Sequence, residues 1–205
     1  MEKLLQHAKY VLRENPEYSE LEPEEVIVLT ILAKDLLPER EIFKIFGHVK
    51  TEKKLKEPVA RFFKDQNYKV FQEIEIGKSR ADLVGYKPGL RGLGREIVAI
   101  ELKVNPNEMK RFLDQVTDYQ AGADKVYLGT TPYTVLKYLL KYGKRHFDPD
   151  ILESKLEKVG VGLIIVDLTN REEPCRITIK AQNTETKKKI YEATIEQCET
   201  AKPFI

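Results

Sequence analysis

Three charged residues set in apolar surroundings are the ones best placed to do chemistry. Glu101 and Lys103 close the segment EIVAIELKV, and Asp82 stands in RADLV between Ala81 and Leu83. Side chains alternate along an extended chain. Ile97, Ala99, Glu101 and Lys103 therefore share one face, and Val98, Ile100, Leu102 and Val104 the other. A carboxylate and an ammonium at the end of a buried strand are costly unless something compensates them. Antiparallel pairing through the 87–95 loop would bring Asp82 and Glu101 together at one sheet edge, with Lys103 beside them. Two carboxylates in low dielectric repel, and each raises the pKa of the other. A divalent cation removes that penalty, and carboxylate oxygens with a backbone carbonyl and waters suit Mg²⁺ or Mn²⁺. Such an ion acidifies water and neutralises a phosphoryl oxygen, which leaves Lys103 to hold the attacking water or to stabilise developing charge. A structural Asp/Glu–Lys ion pair accounts for the spacing equally well.

The elements that must position these residues follow from periodicity and punctuation. Leu55, Val59, Phe62 and Phe63 predict a helix over 51–67, which Pro58 should kink or restart with Glu57 as a new N-cap. Three strands follow. In KVFQEIEIG (69–77), Val70, Ile74 and Ile76 are expected on one face, with Glu73 and Glu75 on the other. RADLVGY (80–86) is short and apolar, and 96–104 has the continuous hydrophobicity of a central strand covered on both sides. The glycine-rich KPGLRGLGR loop lacks dinucleotide-fingerprint spacing and reads as a flexible connection, with Arg91 and Arg95 able to reach phosphate. A helix should run from Pro106 to about Ala121, then a strand at 125–131, helices at 133–142 and 149–158, and a strand at 162–168.

Both ends of the chain look different from this core. Residues 1–47 read as three short helices, with a stripe at Leu4, Leu5, Ala8 and Leu12 and starts at Pro23 and Pro38. Two of them could form a helix-turn-helix, though a plain packing unit is the commoner outcome. The C-terminus reads as a β-hairpin, with Ile177 opposite Ile195, Ile179 opposite Ala193 and Ala181 opposite Tyr191. That register sends Cys175 and Cys198 to opposite faces, so both thiols should be free. The expected divisions are 1–48, 49–170 and 171–205.

Composition excludes several classes. The 205 residues carry 35 Lys and Arg against 33 Asp and Glu, a balance too even to name a partner. Residues 50–111 nevertheless hold 15 basic and 9 acidic side chains, which suits an anionic ligand such as a nucleic-acid backbone. No apolar run approaches the ~18 residues of a membrane span. The N-terminus, broken by Gln6, His7 and Lys9, does not read as a signal peptide, and a cytoplasmic protein with no membrane partner is expected. Two cysteines and the histidines 7, 48 and 146 show no zinc-ligand spacing. Ser19, Ser79 and Ser154 lie in no nucleophile elbow.

In the helix after the central strand, Arg111, Gln115 and Tyr119 fall at i, i+4 and i+8 on one side. With Asp82 in RADLV, Glu101-Leu102-Lys103 in AIELK, and Gln115 and Tyr119 in DQVTDY, the chain resembles the PD-(D/E)XK nuclease superfamily. The branch it resembles carries a Gln-x-x-x-Tyr helix, as in RecB-like nuclease domains. The resemblance spans roughly residues 51–168, and Ala81 stands where the family name has proline. It implies an α/β fold with a restriction-endonuclease-like mixed β-sheet flanked by helices, and metal-dependent hydrolysis of phosphodiester bonds in DNA, or RNA. Asp82 and Glu101 would bind Mg²⁺ or Mn²⁺, Lys103 would be the catalytic lysine, and Gln115 and Tyr119 would support the site. A further glutamate from the first core helix is expected to be Glu52 or Glu57, and Glu73 matches an acidic position before the Asp strand. A homodimer would suit an enzyme that cuts two strands. The alternative is a non-catalytic nucleic-acid-binding or assembly module on the same fold.

Overall fold

The computed structural model describes residues 49, 51–89, 94–142 and 151–205, apart from the side chains of Asp114, Gln115, Leu136, Leu140 and Lys141. The chain divides into two compact units, residues 1–48 and 49–205. The expected N-terminal helices, their helix-turn-helix, Arg91 and all three histidines lie outside the described residues.

The second unit opens with α1 (Lys53–Asp65), whose buried stripe is Leu55, Val59, Ala60 and Phe63. The helix continues through Pro58 as one element, so no restart occurs at Glu57. It ends where Asn67 takes a left-handed conformation, φ 67°, which asparagine tolerates better than most residues. Six strands follow in the order β1 (Lys69–Ile76), β2 (Ser79–Lys87), β3 (Glu96–Lys103), β4 (Lys125–Thr130), β5 (Gly162–Val166) and β6 (Cys175–Ile179), each beside its chain neighbour. β1, β2 and β3 are antiparallel, β3, β4 and β5 are parallel, and β6 returns antiparallel to β5. Parallel neighbours need crossovers. These are supplied by α2 (Pro106–Gln120), then by α3 (Pro132–Tyr142) and α4 (Ile151–Lys158).

The sheet separates two apolar layers. Ile97 and Ala99 of β3 pack with Met109, Phe112, Val116 and Tyr119 of α2, whereas Val98, Ile100 and Leu102 pack with Leu55, Val59 and Phe63 of α1. This is the alternation expected of a strand covered on both sides. β1 departs from expectation. Val70 lies in the α1 layer, but Ile74 and Ile76 lie in the other, because Glu73 has φ 57° and the alternation slips there by one residue. β2 slips at the same step, between Ala81 and Leu83. Among the described residues no helix is long and apolar enough to cross a membrane.

The expected C-terminal hairpin is not formed. Only its first arm is a strand, β6, and residues Lys188–Thr200 form a helix, α5, that packs on β1. The alternating Tyr191, Ala193 and Ile195 suggested a strand, but Ala193 is exposed and the buried positions are Thr194, Ile195 and Cys198. The hydroxyls of Thr194 and Thr200 donate to the carbonyls of Ile190 and Glu196, one helical turn back, which offsets the poor helix propensity of threonine. Cys175 and Cys198 are both free and buried, in different layers on opposite sides of the sheet. The expectation of free thiols holds, though for a different geometric reason. Burial pushes both thiols up to about 12, so they stay protonated.

Candidate functional site

The β2–β3 ladder ends at the pair Leu83–Ile100, and one more step of its register would set Asp82 opposite Glu101. At that point a side chain replaces the ladder. Asp82 Oδ2 accepts the N–H of Leu102 at 2.9 Å, which ties the carboxylate to the residue beside Glu101. Glu101 and Lys103, two apart on one face, pair at 2.7 Å between Oε1 and Nζ. Glu101 Oε2 is 2.9 Å from the hydroxyl of Tyr119, which also lies 3.1 Å from the carbonyl of Arg80. α2 can present Tyr119 there because Asn105 caps its start, accepting the Asn107 N–H at 2.9 Å, and because the Phe112, Val116 and Tyr119 stripe is buried.

The first turn of α1 closes the cluster from the other side. Glu52 occupies the N-cap position but makes no capping bond with its side chain, which instead reaches Lys103 at 3.3 Å. One turn later, Lys56 Nζ pairs with Glu73 and lies 3.6 Å from Asp82 Oδ1. The side chains of Asp82, Glu101, Lys103 and Lys56 are each 12–16% exposed. Four carboxylates against two ammonium groups leave a formal surplus of two negative charges.

The electrostatics record that crowding. Burial raises the Glu101 carboxyl above its usual range and the charge of Asp82 adds to the effect, while the Lys103 bond only partly restores it. Glu52 is raised by burial and by Asp82 in the same way, against the pull of Lys103. Burial disfavours the charge on Lys103, but its bond to Glu101 and the charges of Glu101, Glu52 and Asp82 outweigh that and hold it protonated. Lys56 is likewise raised, with Glu73 and Asp82 overcoming burial. Burial and Glu101 keep the Tyr119 phenol well above its ordinary value, so it remains a donor.

No family model, curated protein or solved structure matches the chain. The chemical reading therefore rests on the residues themselves. Of those singled out in the sequence, Asp82, Glu101, Lys103, Tyr119 and Glu52 come together. Glu57 does not: five residues beyond Glu52 it lies well round the helix, 60% exposed and paired with Arg61. The backbone of Gln115 is on α2 one turn before Tyr119, and its side chain lies outside the described residues. Arg95 pairs with Glu192 of α5. Lys56 was missed by the sequence reading, although its i, i+4 relation to Glu52 could have placed both on one helix face.

Carboxylate oxygens are the donors that Mg²⁺ and Mn²⁺ prefer, and the surplus of two charges is what one divalent ion neutralises. The donor set fits such an ion in kind and in charge. Among the described residues no three His, Cys, Asp or Glu side chains stand as a ready-made cage. The contacts between carboxylates are instead made through Lys56 and Lys103.

Proposed function

We propose that the protein is a metal-dependent nuclease that hydrolyses phosphodiester bonds in DNA, on a restriction-endonuclease-like version of its mixed sheet. The observation that carries this reading is the meeting of Asp82, Glu101 and Lys103 where the β2–β3 ladder ends. Asp82 and Glu101 would hold Mg²⁺ or Mn²⁺, with Glu52 near enough to share Lys103 and add an oxygen. The ion would contribute positive charge that offsets both the carboxylates and the negative charge building on the phosphate. Lys103, kept protonated by its neighbours, serves as a hydrogen-bond donor to the attacking water or to a phosphate oxygen rather than as a base. Tyr119 fixes the second oxygen of Glu101 and so its orientation. Lys78 and Arg80 line a shallow surface cavity at the β1–β2 turn, whose backbone meets Tyr119, and offer contacts to a phosphate chain.

The test incubates the purified protein with labelled single- and double-stranded DNA and Mg²⁺ or Mn²⁺. Cleavage is expected, and Lys103→Ala or Asp82→Ala should reduce it at least ~100-fold, the usual cost of losing a charge-stabilising group. No cutting of either substrate, or equal cutting by the variants, overturns the proposal. DNA binding that depends on salt but ignores EDTA and Glu101→Gln, with no cleavage, would point to a non-catalytic binding module instead.

A further inference from the structure

We propose that Lys56 is a built-in cation that stands in for a second metal ion, so that the cluster takes one divalent cation and not two. The inference rests on the reading that Asp82 and Glu101 hold a metal. It adds what limits the number of ions.

The cluster has two sides, each with its own ammonium. On one side Lys103 bridges Glu101 and Glu52. On the other Lys56 bridges Glu73 and Asp82. The second bridge depends on an unusual stretch of backbone. Glu73 sits at φ 57°, a region that a non-glycine residue enters rarely, and both β1 and β2 shift their alternation at this step. The shift leaves Glu73 and Asp82 out of the regular β1–β2 ladder, and the two carboxylates share the one ammonium that α1 supplies. Lys56 is 15% exposed, while Glu73 is 48% exposed and so remains open to cations from solvent. Four carboxylates without an internal counter-charge would draw two divalent ions. With Lys56 and Lys103 in place, the surplus matches one. Lys56 is thus a positioning residue: it holds Asp82 toward the Glu101 side and denies the Glu73 side to a second ion.

Manganese binding to the full chain, followed by Mn²⁺ electron paramagnetic resonance and equilibrium dialysis without DNA, tests this directly. One ion per chain is expected for the wild type and for Lys56→Arg, which keeps the charge. Lys56→Met should bind two. Lys56→Met combined with Glu73→Gln should return to one, because the second pair of carboxylates is gone. Lys56→Gln serves in the same role should the Met variant fail to fold, and Glu73→Gln alone should still bind one. Two ions on the wild type, or one ion at unchanged affinity on Lys56→Met or Lys56→Gln, overturns the proposal. If that same wild-type protein cuts DNA, the nuclease reading stands while the role of Lys56 falls. A wild type that binds no Mn²⁺ and cuts no DNA ends both.

Discussion

Tyr119 shows how much one atom does at the residue scale. Its ring is 3% exposed and packs beside Phe112, while its hydroxyl reaches the carboxylate that the proposed chemistry needs. Tyr119→Phe keeps the packing and removes the bond. A bond to a charged group is worth about 1.5–3 kcal/mol. A loss of roughly that size is expected in denaturant unfolding, with a reduced cleavage rate from a less ordered Glu101. A variant as stable and as active as the wild type would mean the hydroxyl does neither job. Glu101 itself carries a pH signature. Its pKa is raised in the folded state, so its contribution to stability is complete below the ordinary carboxylate range and is lost as pH rises through the raised value. In EDTA, the melting temperature of Glu101→Gln minus that of the wild type should therefore grow as pH climbs from about 4.5 into the neutral range. Excess Mg²⁺ should reverse the trend for the wild type, because a bound ion needs the ionised carboxylate. A difference that stays flat with pH in EDTA would contradict the burial and crowding described for this side chain.

At the scale of elements, α1 and α5 make the argument. α1 reads as a helix because of its apolar stripe, yet its functional residues are on the first turn, where Glu52 forgoes capping to meet Lys103. α5 has ambiguous local preferences, and its seat against β1 decides its form. Gly122 lies under that seat. A Cβ there would stand 2.7 Å from Ile76 Cγ2 and 2.8 Å from Ile190 Cγ2. Gly122→Ala should therefore cost about 1–3 kcal/mol in a urea titration, as overpacking generally does. No loss of stability would show that α5 is not held against β1 at this point.

For the molecule as a whole, residues 49–205 form a compact unit with an apolar layer on each side of a six-stranded sheet. A chain beginning at Val49 should accordingly melt in one cooperative transition, with calorimetric and van't Hoff enthalpies in agreement. Separate melting of the region after residue 170 would contradict the packing of β6 and α5 into that unit. The expectation of a detached C-terminal extension failed because it treated 171–205 as a self-contained hairpin. In the structure β6 completes the sheet, and α5 covers the far strand.

The sequence by itself determined the central strands and the charged residues set into them. Alternation gives β3 its two apolar faces, and Glu101 with Lys103 stands out because charge is expensive there. It also determined that Tyr119 lies on the helix following β3. It did not choose between Glu52 and Glu57, because the direction of a side chain depends on how α1 lies against the sheet. Nor did it show the slip at Glu73 or the role of Lys56, since one left-handed residue changes every face beyond it without altering the local pattern. The helix at 188–200 was likewise settled by tertiary packing. A short amphipathic segment rich in β-branched residues takes whichever period buries its apolar side, and only the neighbouring surface of β1 decided which that was.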